Sequence, residues 1–199
     1  MDSKSVTLIA IFSSLAIILN VVRIPTIFWP NMVYLITGIP IVIAFLLYGF
    51  KTGFLVGVLH ILGQLIFFPV GLMGFVAYPA GLLINLLMFS GVYLAKKFIT
   101  SKTGFKNHNS EKKKAIIFTG FAVIIRTGIM PIYDFFVFYH FLRPLVLGVS
   151  VPEIYIVCLV PSFVLYHLTT TLYTIPIAYL IARKVSKYLR IRAKYFASY

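Results

Sequence analysis

The chain has 199 residues, 61% of them hydrophobic, and a mean hydropathy of +1.01. Its 18 Lys and Arg stand against 4 Asp and Glu, for a net charge of +14. This balance points away from a soluble domain. It also points away from nucleic acid, because the positive charge is gathered at the ends of long apolar segments, where it reports membrane orientation.

A spanning helix needs roughly 20 predominantly apolar residues. Six segments meet that need, at about 5–22, 31–48, 52–69, 75–95, 115–139 and 154–182. Lipid offers no partner to an unpaired backbone group, so helices are expected; the alternation of a barrel strand is absent. The expected fold is an all-α integral membrane protein. It is a single domain, a six-transmembrane-helix bundle with both termini cytoplasmic.

The first segment follows only Lys4 and shows no small-residue cleavage site, so it reads as a retained helix and not a signal peptide. It carries Ala10, Ser13, Ser14 and Ala16, and Ala10 and Ser14 have the spacing that lets another helix approach closely. The second segment ends at Tyr48-Gly49 and the third begins after Lys51-Thr52-Gly53, with Gly49 and Gly53 permitting a tight turn. Gly53, Gly57, His60 and Gly63 lie near one stripe of the third segment. These small residues serve either packing inside the bundle or docking of a partner membrane protein, with Ala10, Ser13, Ser14, Gly53 and Gly57 as the docking candidates.

A polar linker, Thr100–Lys114, separates four segments from the last two. In the fifth, Arg126 and Asp134 are costly in an apolar run and therefore functional candidates. Eight residues of helix rise about 12 Å, so they do not pair simply along one helix. Arg126 is expected to find a partner on another helix or to snorkel inward, in a structural or gating role. Between them Pro131 lacks the amide that would bond the Thr127 carbonyl, and a kink is expected there. In the sixth, Thr169-Thr170-Thr171 are expected to bond their own helix carbonyls.

All the basic residues except Arg23, Arg126 and Arg143 fall at the N-terminus, at Lys51, in 96–114 and in the tail from Arg183. Six spans put these regions on one side, the cytoplasmic one. Loops at about 23–30, 70–74 and 140–153 then face outward, with Trp29 and Tyr155 as interface anchors. The basic tail also has the charge to touch anionic lipid headgroups.

Several chemistries lack their motif. Gly49–Gly53 has no Gly-Lys-Ser/Thr to grip phosphate, so the chain itself is not expected to hydrolyse ATP. His60, His108, His140 and His167 lie on different segments without metal-ligand spacing, and no cofactor or metal is expected. Cys158 is alone, so no intramolecular disulfide forms. No activated-serine turn accompanies Asp134 and His140. Asn31, Gln64, Tyr78, Asn85, Tyr133, Asp134, Tyr166 and His167 remain, with Phe67, Phe68, Phe75 and Phe163. They suit a mostly apolar pocket with a few polar contacts, the usual character of a small-molecule site.

The stretch Gly38-Ile-Pro40, Leu47-Tyr-Gly49-Phe-Lys-Thr-Gly53, the Gly-rich third segment and the Pro69–Gly74 loop together resemble the S components of energy-coupling-factor (ECF) transporters. So do Met130-x-x-x-Asp134-Phe-Phe, Leu159-Val-Pro161 and the small residues of the first segment. The pattern is most similar to the riboflavin-type members. Asp134 stands where those carry a binding Asn, Tyr166 where they carry a binding Lys, and Gly38 where they carry an acid. The resemblance implies a substrate-capture subunit without its own ATPase. It would take riboflavin or another vitamin or precursor from the outer face, under a lid formed by the 23–31 and 70–74 loops. Its partners would be a membrane coupling subunit and two ATPases. A membrane enzyme using Asp134 and His140 on a lipid or prenyl substrate, or a scaffold without ligand, are the alternatives.

Overall fold

A computed structural model describes residues 3–26, 33–68, 72–101, 110–137 and 153–189. Its elements run α1 (Ser3–Leu19), β1 (Arg23–Pro25), β2 (Val33–Leu35), α2 (Gly38–Tyr48), α3 (Phe50–Phe67), α4 (Leu72–Ser101), α5 (Ser110–Val137) and α6 (Glu153–Leu189). Within α3 to α6 lie four stretches long and apolar enough to cross a membrane; α1 and α2 are shorter apolar helices.

The second segment departs from the expected 31–48 helix. Val33–Leu35 instead pairs antiparallel with Arg23–Pro25, with Ile24 opposite Tyr34. The 11 residues of α2 rise about 16 Å, roughly half of a hydrocarbon core. Strand pairing satisfies the backbone where the helix stops. Non-helical backbone at membrane depth is tolerated where it is covered by protein or lines a cavity, and Val33 and Leu35 do line one.

Small residues set the close approaches, as expected where lipid supplies no hydrophobic drive between helices. A side chain on Gly53 would lie 2.6 Å from the Phe45 Cβ, so α2 and α3 pack nearly backbone to backbone. A side chain on Gly91 would come within 2.5 Å of the Ala122 Cα, which holds α4 against α5. Gly63 makes the same kind of room for Ile17 of α1. At the α2–α3 turn Gly49 has φ 93°, a conformation L side chains rarely adopt, which is why the one-residue link is glycine.

The core forms around α2, whose residues Pro40 to Leu47 are all buried. Phe45 stacks on Phe89 with ring centroids 4.3 Å apart, and Phe118 meets Tyr179 edge-on. Ile66, Ile124 and Ile132 face outward toward lipid. On α1 the buried face is Ile9, Ser13 and Ala16, continued by Asn20 just past its end, whereas Ala10 and Ser14 are exposed. The small residues proposed for docking therefore divide. Ser13, Gly53 and Gly57 face into the bundle, and Ala10 and Ser14 lie on its surface.

Candidate functional site

A cavity of about 310 Å³ lies at one end of the bundle. The ends of α1 (Asn20), α2 (Thr37, Gly38) and α3 (Gln64, Phe68) meet there, with the β-hairpin (Arg23, Val33, Leu35) beside them. Deeper walls come from His60, from Tyr78 to Met88 of α4, from Arg126, and from Tyr166, Thr170 and Thr174 of α6. The described basic residues Lys51, Lys97, Lys112 to Lys114 and Arg183 to Lys187 belong to the opposite helix ends, remote from this opening.

Arg126 is 1% exposed yet lines the cavity. Its Nε–H donates to Nδ1 of His167 at 3.3 Å, and the other ring nitrogen of His167 lies 2.6 Å from Oδ2 of Asp134. With Nδ1 accepting, Nε2 carries the proton and donates to the carboxylate, so His167 is the neutral bridge between a cation and an anion. This resolves the spacing of Arg126 and Asp134. They share one helix but are joined through α6. Among the described residues the far edge of the guanidinium reaches the sulfur of Met88, with Nη1 at 3.5 Å, and a thioether is a weak acceptor.

Other polar groups brace the rim. Gln64 Nε2 donates to Asn20 Oδ1 at 3.0 Å and ties α3 to α1. The Tyr78 hydroxyl donates to the Phe68 carbonyl at 2.6 Å. Asn85 Nδ2 donates to the Gly81 carbonyl. The hairpin is fastened to α6: Tyr166 donates to the Val33 carbonyl, Tyr173 to the Leu35 carbonyl, and the Thr169 and Tyr34 hydroxyls are bonded at 2.9 Å. Tyr34 and Tyr166 stack at 5.5 Å. Thr169, Thr170 and Thr171 also bond carbonyls one turn back, as their sequence implied.

The residues named from sequence are thus only partly brought together. Gln64, Tyr78, Asn85 and Tyr166 line the cavity. Asp134 and His167 are not among its described lining residues and act through Arg126. Phe163 is buried and Tyr133 half-buried, both also outside that lining. Phe67 is exposed to lipid. Asn31, His140 and Trp29 lie outside the described residues. Sequence reasoning missed Asn20, Arg23, Thr37, His60, Thr170 and Thr174. Thr170 and Thr174 carried a readable signal, since two threonines four apart share a helix face; the others depend on how separate elements meet. Among the described residues no cluster of His, Cys, Asp or Glu has the makings of a metal site.

A membrane helix bundle with a polar-studded cavity at one end is the architecture of a small-molecule-binding membrane protein. The chain matches the family model of the ECF transporter substrate-specific component over residues 4–188, and it belongs to that family. A solved structure, the S component of a bacterial ECF transporter, is similar in fold, with a TM-score of 0.64 and 18% identity over 96% of this chain and 99% of that one. No curated protein matches the sequence. The protein is accordingly an integral protein of the plasma membrane and a substrate-binding transporter subunit. It is not an enzyme; the family works with a membrane coupling subunit, and the ATPases are separate chains. The membrane-enzyme and scaffold alternatives give way to this membership.

Proposed function

We propose that this subunit captures a small vitamin or vitamin precursor, riboflavin among the candidates, from the outer face. It then surrenders the molecule to the cell through the coupling subunit and two ATPases. The observation that carries this reading is the cavity of about 310 Å³. It is at the lower end of the range of roughly 300–1,000 Å³ usual for small-molecule sites, and it mixes apolar walls with a few placed polar groups. Its position opposite the lysine-rich helix ends supports an outward mouth and cytoplasmic termini. The lid of this scheme is the 23–31 and 70–74 loops; Arg23–Pro25 of the first pairs with the strand that Tyr166 and Tyr173 pin to α6.

On α1 the exposed Ala10 and Ser14 are the part of the proposed docking stripe left open to the coupling subunit. Gly53 and Gly57 contribute to that surface only by setting how α3 packs.

Mass spectrometry and an absorbance spectrum of protein purified in mild detergent test the proposal. A co-purifying vitamin is the expected result. A flavin would colour the sample and select the riboflavin-type reading. A protein that emerges empty and gains no thermal stability from any water-soluble vitamin would overturn it, because a tight ligand stabilises as RT ln(1 + [L]/Kd).

A further inference from the structure

We propose that the ligand is a small organic anion, its acidic group received by Arg126 and a neighbouring polar atom by His60. The proposal rests on the substrate-capture reading above and narrows it. Two independent features of the cavity carry it.

The first is the charge of the wall. Among the described lining residues the ionised side chains are Arg23 and Arg126, and none is Asp or Glu. Asp134 balances Arg126 only through the imidazole of His167. That arrangement holds the guanidinium by its Nε edge, through a residue outside the described lining. Toward the cavity its Nη1 meets Met88, itself a lining residue and a weak acceptor. A carboxylate entering there would exchange a soft sulfur contact for charge-assisted hydrogen bonds, and a guanidinium offers the fork geometry that a carboxylate fits. Orientation is settled before the ligand arrives, so little ordering remains to be done on binding.

The second feature is His60. It is 5% exposed, lines the same cavity, and among the described residues neither ring nitrogen has a hydrogen-bond partner. Buried polar groups in native proteins are nearly always paired, and an orphan calls for an explanation. An imidazole offers one donor and one acceptor, or two donors when protonated, so a polar ligand satisfies it and an alkyl group does not. Val33, Leu35, Phe68, Ile84 and Met88 give the cavity apolar wall between its neutral polar side chains. The chemistry selected is a compact acid with an apolar or heteroaromatic body.

The test uses the purified full chain in detergent, with thermal shift and calorimetry against matched pairs: nicotinate and nicotinamide, biotin and biotinamide, pantothenate and panthenol. The expected result is that the acid of one pair stabilises the protein and its neutral counterpart binds roughly 10- to 100-fold more weakly, the size of a charged hydrogen bond. Arg126→Gln should erase that preference and Arg126→Lys should restore part of it. His60→Leu breaks no protein hydrogen bond. It should leave the ligand-free Tm unchanged or higher while weakening the acid. A neutral member that binds as well as its acid, or no response to any acid, overturns the proposal. A His60→Leu protein with lower ligand-free Tm and unchanged Kd overturns the role of His60. Co-purification with a co-expressed coupling subunit and ATPases tests the transporter reading separately. If assembly succeeds and neutral ligands win, only the anion proposal falls; if assembly fails, the capture reading fails whatever the ligand preference.

Discussion

Arg126 is the residue on which the site turns. A fully buried guanidinium in a membrane helix is expensive unless it is paired and hydrogen-bonded. Its compensation arrives from α6 through His167, and at one remove from Asp134. Each link depends on the other. Asp134→Asn keeps an oxygen for the imidazole to bond but removes the balancing charge. His167→Phe keeps the ring volume but orphans both partners. We expect each to destabilise the protein by about 1–3 kcal/mol, with His167→Phe the worse, measured by unfolding in mixed detergent micelles. Wild-type stability in both variants would mean that the three residues are merely adjacent. Glycine positions offer a second contrast. Gly91→Ala presses on the Ala122 backbone and should cost about 1–3 kcal/mol. Gly128→Ala meets nothing within 4 Å and should be neutral or stabilising by up to about 1 kcal/mol, because alanine is the better helix former.

The β-hairpin and α6 form the working unit among the elements. Three hydroxyl bonds fasten β2 along one face of α6, at Tyr166, Thr169 and Tyr173. Since β2 also walls the cavity, loosening it should open the site. Tyr166→Phe with Tyr173→Phe removes the two bonds to strand carbonyls, each worth about 1 kcal/mol. Hydrogen exchange of residues 33–35 should accelerate while the core of α2 stays protected. Unchanged exchange would show that stacking of Tyr34 on Tyr166 suffices to hold the strand. The sequence read this region as a loop followed by a full span. Three-residue strands carry too few residues for a period to register, and Val33-Tyr-Leu35 is as apolar as a helix. The turn at Gly49 and the threonine back-bonds were legible because they are local, set within a single turn of chain.

At the scale of the molecule, the bundle has a polar-lined mouth at one end and its described lysines at the other. This polarity makes a topological prediction. With Cys158 replaced by Ser, a cysteine at Lys51 should react with a membrane-impermeant thiol reagent only in inverted vesicles. A cysteine at Arg23, on the rim, should react in intact cells. The reverse pattern would turn the protein over and place the cavity toward the cytoplasm. Docking belongs to this scale as well. Bulky Ala10→Leu and Ser14→Leu changes on the exposed face of α1 should impair assembly with the coupling subunit and leave ligand-induced thermal stabilisation intact.

By itself the sequence determined the membrane class, the apolar helices, the basic ends and the family resemblance. The first three follow from composition and from neighbours along the chain; the last rests on motifs. It also marked Arg126 and Asp134 as too costly to be idle. Only the tertiary structure decided what they do, because His167 reaches them from another helix, 41 residues from one and 33 from the other. The same holds for His60, a plain histidine in an apolar run whose ring, unpaired among the described residues, acquires meaning only once the other elements close a cavity around it. Burial and pairing are properties of the assembled bundle. A linear pattern can say which side chains are costly in lipid, and packing alone says what offsets that cost.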